Sequence, residues 1–208
     1  MLTIKDLFTQ NTKPFISDVS LALYKEFYED NLLEMRFRYV LPDCSVLDVS
    51  FEPLGLFHLL GIPHIDPNMQ ARNFGRDIDN GLDFSDFKKH NDLTVRERFN
   101  RMKDRIKMFA CICHVMKTGR LFEVPSGKVN RTQTVTADYI IYRNIMGEGM
   151  NIPLRIDSKQ KQNDSIKLIP VSILVDKKKD LMKHVDITKE KNINRRNITK
   201  VVKEIVNF

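Results

Sequence analysis

The chain of 208 residues has no tryptophan and only three cysteines, Cys44, Cys111 and Cys113. An odd, sparse set of thiols argues against a disulfide framework and for a reducing compartment. No apolar run approaches the roughly 20 residues that cross a bilayer. The longest, Ile166 to Val175, is interrupted by Lys167, Pro170 and Ser172. The N-terminal stretch Met1 to Asn11 carries Lys5 and Asp6 and lacks an apolar signal core, so the expectation is a cytoplasmic protein with no membrane anchor. Equally absent are a Walker loop, a Rossmann glycine fingerprint, an HExxH pair and a Gly-x-Ser-x-Gly elbow. Their absence weighs against nucleotide hydrolysis, nicotinamide chemistry, zinc proteolysis and serine hydrolysis.

What is present is the composition of an ordinary globular protein, 42% hydrophobic and 29% charged. A chain of this length can bury a core without disulfide or metal staples. The formal net charge is +7, which favours a polyanionic partner through phosphate contacts and counterion release.

Helical patterns come first. Ser17 or Asp18 is placed to cap a helix carrying Val19, Ala22, Leu23, Phe27 and Leu33. Arg36–Leu41 and Val46–Phe51 alternate as strands around a Pro42-Asp43 turn, which predicts a hairpin. Pro53 opens a short helix, Leu54 to Leu60, closed by Gly61 and Pro63. Residues 62–91 are polar and read as a long loop, functional or mobile. Thr94, with Glu97 at the capping-box spacing, begins a helix running to about Met116. Its apolar stripe is Val95, Phe99, Met102, Ile106, Phe109, Ala110 and Cys113. Strands are expected at 120–124, 128–135, 137–142, 152–156 and 166–175, with a further strand near 184–187 and a terminal helix at 198–206. Helices followed by strands predict an α+β fold, N-terminal helices packed on a mainly antiparallel β-sheet. Residues 1–175 read as the domain and the Lys-rich 176–208 as an extension.

Several clusters carry possible chemistry. Cys111-Ile112-Cys113-His114 resembles a metal site, but residues two apart on a helix do not share a face and no second pair completes a tetrahedral set. Core packing is the better reading of the cluster. Arg98, Arg101 and Arg105 fall three and four apart on one shoulder of the apolar stripe, with Glu97 and Asp104 toward the outer side. Such a ridge is suited to phosphate, since the guanidinium fork makes two hydrogen bonds at once, and it is equally a solvated flank. His58 stands inside a short apolar helix and titrates in the range useful for proton transfer, or else packs in the core. His64, His90, His114 and His184 rank below it. Ser172, a hydroxyl in an apolar strand, needs a partner if buried: a phosphate oxygen, or a neighbouring backbone. Tyr139 and Tyr142 point to opposite faces of their strand.

The order of these features resembles a known group. A strand pair leads into Phe57-His58-Leu59-Leu60-Gly61-Ile62. Then come the helix with Arg98, Arg101, Arg105, Ile106 and Phe109, the run Ala137 to Tyr142, and Ile169-Pro170-Val171-Ser172. The pattern, over roughly Phe15 to Val175, resembles the phage-associated nuclease-like domains grouped with barnase, EndoU, the tRNase colicins and RelE, in their fourth phage group. The resemblance implies a helix-then-sheet fold and RNase activity with neither metal nor cofactor. It makes His58, Arg105 and Ser172 candidate catalytic residues, and RNA the expected partner, with an antitoxin or immunity protein beside it. Arg98 and Arg101 join as substrate-binding candidates from the ridge, and Tyr142 from the resemblance. Two other readings stand next to it: a non-enzymatic binding module such as a phage-encoded inhibitor or regulator, and an ADP-ribosyltransferase-like toxin. The latter needs a late-strand glutamate that the sequence does not supply.

Overall fold

The computed structural model describes residues 1–41, 45–124, 136–157 and 165–177. Within them the fold is α+β. The helices are α1 (Ile4–Leu7), α2 (Leu21–Phe27), α3 (Gly55–Leu60), α4 (Ile62–Ile65), α5 (Ala71–Asp79), α6 (Phe84–Lys89), α7 (Leu93–Phe109) and α8 (Ile112–Thr118). The strands are β1 (Arg36–Val40), β2 (Val46–Ser50), β3 (Arg120–Glu123), β4 (Tyr139–Ile145), β5 (Glu148–Ile156), β6 (Ser165–Pro170) and β7 (Leu174–Asp176). They form one sheet in the order β1-β2-β6-β5-β4-β3, with β7 also on β5. Every pairing is antiparallel except β2 with β6. The anticipated hairpin is β1 and β2, paired Arg36 to Ser50 through Val40 to Val46.

The N-terminal helix begins later than expected. Its cap is Ser20, whose hydroxyl accepts from the Leu23 amide at 3.1 Å, while Ile16–Asp18 forms a separate 3-10 turn. After Phe27 the helix widens into one π turn, Tyr28–Leu32. Tyr24, Phe27, Tyr28 and Leu32 are all buried. Tyr24 meets the Phe109 ring edge-on at 4.7 Å, and its hydroxyl donates to the Ile106 carbonyl, tying α2 to α7. Helix α8 lies against β4 and α7 against β7. Tyr39 of β1 donates to the Met116 carbonyl of α8 at 2.6 Å, fastening that helix to the sheet.

Residues 62–91 are not a loop. They contain α4, α5 and α6, each a short amphipathic helix burying only two side chains: Ile62 and Ile65, Phe74 and Ile78, Phe84 and Phe87. The remaining positions stay wet, so the polar composition masked a helical spacing of three or four residues. Asp83 caps α6 in a reciprocal box with Asp86 and also accepts from the Leu21 amide at 2.7 Å, linking α6 to the start of α2.

The long helix expected at 94–116 is two helices. Asp92, not Thr94, caps the first, accepting from the Thr94 amide at 2.7 Å. At Ala110 and Cys111 the backbone tightens into i to i+3 bonds, and α8 starts afresh at Ile112. From Met108 to Cys113 every residue is buried. Neither glycine nor proline marks the break, and a chain buried on all sides needs no single apolar stripe. Cys111 and Cys113 are core residues, and burial pushes both thiols up to about 12. Cys44 lies outside the described residues.

Asp104 does not face outward. It is half-buried and pairs with Lys13 at 3.3 Å, Lys107 at 3.0 Å and Lys177. Burial alone would raise its pKa, but Lys177 and Lys107 outweigh it and hold the carboxyl well below the usual range. Because Lys177 follows β7 directly, this cluster anchors the chain where the sequence turns Lys-rich. The strands expected at 128–135 and 184–187 and the terminal helix fall outside the described residues.

Candidate active site

The candidate site begins at Gly61. It joins α3 to α4 without a loop and adopts φ +77°, the left-handed conformation that ends a helix cheaply only in glycine. A side chain at this position would also meet another group. A Cβ on Gly61 would lie 3.0 Å from Nη1 of Arg105 and 3.1 Å from its Cζ and Nε. Gly61→Ala is therefore expected to cost about 1–2 kcal/mol through backbone strain, and more if Arg105 is displaced. A urea denaturation midpoint equal to that of the parent would overturn this account of the turn.

Arg105 is the centre of the arrangement and is only 8% exposed. The ridge reading placed it on a helix flank; it is instead driven inward beneath α3. Its Nε donates to the Leu59 carbonyl at 2.8 Å, and Nη2 donates to the His58 carbonyl and to Ser172 Oγ at 2.9 Å. The guanidinium thus satisfies the Leu59 carbonyl at the end of α3 and adds a second donor to the His58 carbonyl, which also accepts from the Gly61 amide at 3.1 Å. Burial brings its pKa down to about 10, so it stays charged at neutral pH. None of the ion pairs among the described residues involves Arg105.

Ser172 reaches Arg105 through a strand irregularity. On β5, Leu154 pairs with Pro170 and Asn151 with Leu174. Three residues, Val171 to Ile173, therefore oppose two, Ile152 and Pro153. This is a β-bulge, a device that re-aims side chains and is common beside active sites. Pro153 has no amide to donate, and its carbonyl accepts from the Val171 amide at 3.0 Å. The partner of the Ser172 hydroxyl within the fold is the Arg105 side chain, a group that the sequence reading did not anticipate for it.

These groups border a cavity of about 220 Å³ lined by His58, Pro63, His64, Arg105, Thr136, Arg155, Val171 and Ser172. Among the described residues the lining holds two arginines, two histidines and two hydroxyls, and no carboxylate. His58 and His64 are exposed at its mouth. Both imidazoles are held below their ordinary value. The partial shielding of each ring by the cavity walls is the larger cause, followed by the Arg105 charge; Glu52 partly offsets the shift at His58, and His58 adds to that at His64.

Three of the residues singled out from the sequence meet here: His58, Arg105 and Ser172, from α3, α7 and the β6–β7 bulge. Arg98, half-exposed on α7, and Arg101, exposed, are not in the lining. Tyr142 is also elsewhere, edge-on to the Phe122 ring at 6.5 Å on the β3–β4 side of the sheet. Sequence reasoning ranked His64 below His58 and did not single out Arg155 or Thr136. Only His64 had a usable signal, a second histidine just beyond a helix-ending glycine.

Comparison with curated proteins and with solved structures finds no match. A family does match: the sequence model described as PBECR4, phage-Barnase-EndoU-ColicinE5/D-RelE like nuclease4, aligns with residues 25–207. The match runs through the segment after Asp176, which the sequence reading had set apart from the resemblance. The α+β architecture, the cationic cavity and a match over most of its length agree, and the chain belongs to this phage-associated nuclease family of the barnase, EndoU, colicin and RelE type.

Proposed function

We propose that the protein is a metal-independent endoribonuclease of phage or bacterial-conflict type, cleaving RNA by attack of the 2′-hydroxyl on the adjacent phosphate. The observation that carries this reading is the buried charge of Arg105, which faces a cavity whose described lining holds no carboxylate. A desolvated cation wants an anion, and a phosphodiester is the anion a nuclease presents. Arg155, exposed on β5 at the same cavity, supplies a second guanidinium. The arginines would stabilise the charge that builds on the phosphoryl oxygens. Ser172, whose oxygen already accepts from Arg105, keeps its own proton to donate. His58 would move a proton. A divalent cation would want hard oxygen ligands, and this lining offers positive groups instead. Arg98 and Arg101, outside the cavity on α7, suit contacts with the flanking RNA backbone. A cognate antitoxin or immunity protein would be expected to block the cavity.

The test is incubation of the purified protein with mixed-sequence RNA in EDTA. Fragments ending in 2′,3′-cyclic phosphate are expected, while DNA of the same sequence, lacking the nucleophile, stays intact. Salt-sensitive RNA binding with no cleavage would transfer the assignment to a binding module.

A further inference from the structure

A 2′-hydroxyl attack needs two proton transfers, and His58 alone provides one. We propose that His58 and His64 form a pair in which one histidine takes the 2′-hydroxyl proton and the other protonates the departing 5′-oxygen. This inference rests on the ribonuclease reading above.

The two residues are six apart, and on one continuous helix a separation of six places side chains on well-separated faces. Here the left-handed Gly61 breaks the helix between them, and α3 and α4 turn both imidazoles to the same cavity. Pro63 forms the apolar wall beside them. His64 is positioned by its backbone: its amide donates to the Gly61 carbonyl at 3.0 Å, and the Asp66 amide closes α4 on Ile62. The charged groups acting on the pair are Arg105 from α7 and Glu52 from the segment before α3, with Arg155 of β5 across the cavity. Each imidazole is open to solvent at the mouth, so substrate can reach both.

The step balances without another reactant. The base histidine takes the proton as the 2′-oxygen bonds to phosphorus. The bond from phosphorus to the 5′-oxygen breaks, and the acid histidine donates its proton to that oxygen. The products are a cyclic phosphodiester and a 5′-hydroxyl, and the two histidines have exchanged protonation states. Proton exchange with water restores them.

The experiment compares wild type, His58→Ala and His64→Ala on a 3′,5′-dinucleotide and on the 3′-(4-nitrophenyl) phosphate of the same nucleoside. Nitrophenolate leaves without a proton, so it bypasses the acid but not the base. Each variant should lose about 10²–10⁴-fold on the dinucleotide. One of the two, and only one, should recover most of its rate on the nitrophenyl ester. His64→Ala within about threefold of wild type, or recovery of both variants or of neither, overturns the pair while leaving the ribonuclease intact. A wild type that cleaves neither substrate overturns the ribonuclease reading itself. Thermal melts of the three proteins check that a lost rate is not a lost fold.

Discussion

Replacing His58 with alanine is expected to lower RNA cleavage by about 10²–10⁴-fold with little change in unfolding midpoint. The imidazole is exposed and meets the Phe57 ring edge-on at 5.4 Å. Exposed substitutions of this kind usually fall within about ±0.5 kcal/mol. The pH profile sharpens the prediction. Partial shielding by the cavity walls and the Arg105 charge set both His58 and His64 below the ordinary 6.5. The base must be neutral, so activity falls as pH drops through the lower midpoint. The acid must be protonated, so activity falls as pH rises through the higher one. Wild-type kcat/KM should therefore form a bell with its maximum below about pH 6.5. Loss of His58 should remove one limb of that bell. The same depressed values act on stability. Below the unfolded value near 6.5 the unfolded chain binds more protons at these positions, so their neutral forms cease to favour folding as pH falls. An optimum well above 7, or a His58→Ala rate equal to wild type, sinks the assignment.

Arg105→Met should have the largest effect on stability, on the order of 3–5 kcal/mol. The substitution keeps the apolar stem and removes three hydrogen bonds together. The Leu59 carbonyl and the Ser172 hydroxyl then lose their partner, and the His58 carbonyl keeps only the Gly61 amide. Unmet buried polar groups cost about 1–3 kcal/mol each. Arg105→Lys should recover only part of this, because an ammonium on a flexible stem cannot hold Nε and Nη2 contacts in a fixed fork. Urea titration of both variants measures the difference. A loss under about 1 kcal/mol for Arg105→Met would show that α3 is held by its apolar face alone. The same residue would then contribute to the site only through charge, and RNA cleavage by the lysine variant would be near normal.

Arg105 also shows where reading a helix from sequence fails. Its position beside the stripe Val95, Phe99, Ile106 suggested a solvated ridge with Arg98 and Arg101. Helical spacing gives an angle around an axis, not what packs there. Arg98 and Arg101 remain at the surface, while α3 and the β6–β7 bulge close over Arg105. Charged residues are almost never fully buried unless partnered, and the partners here come from positions 46, 47 and 67 residues away in the chain. The two helices hidden at 71–89 failed for a different reason. Each buries just two phenylalanine or isoleucine side chains, too few for periodicity to rise above a polar background.

The sequence by itself determined the α+β class, the β1–β2 hairpin and the helix that carries His58 and ends at Gly61, because these depend on local pattern: alternation and helix punctuation. Its motif order also pointed to the family that the chain proved to match. The tertiary structure alone decided that Arg105 lies beneath α3, that a one-residue bulge turns Ser172 toward it, and that His64 and Arg155 share their cavity. Those facts depend on strand register and on the direction a chain takes after a left-handed glycine. Both are settled by what the segments bury against one another, which no local stretch of sequence contains.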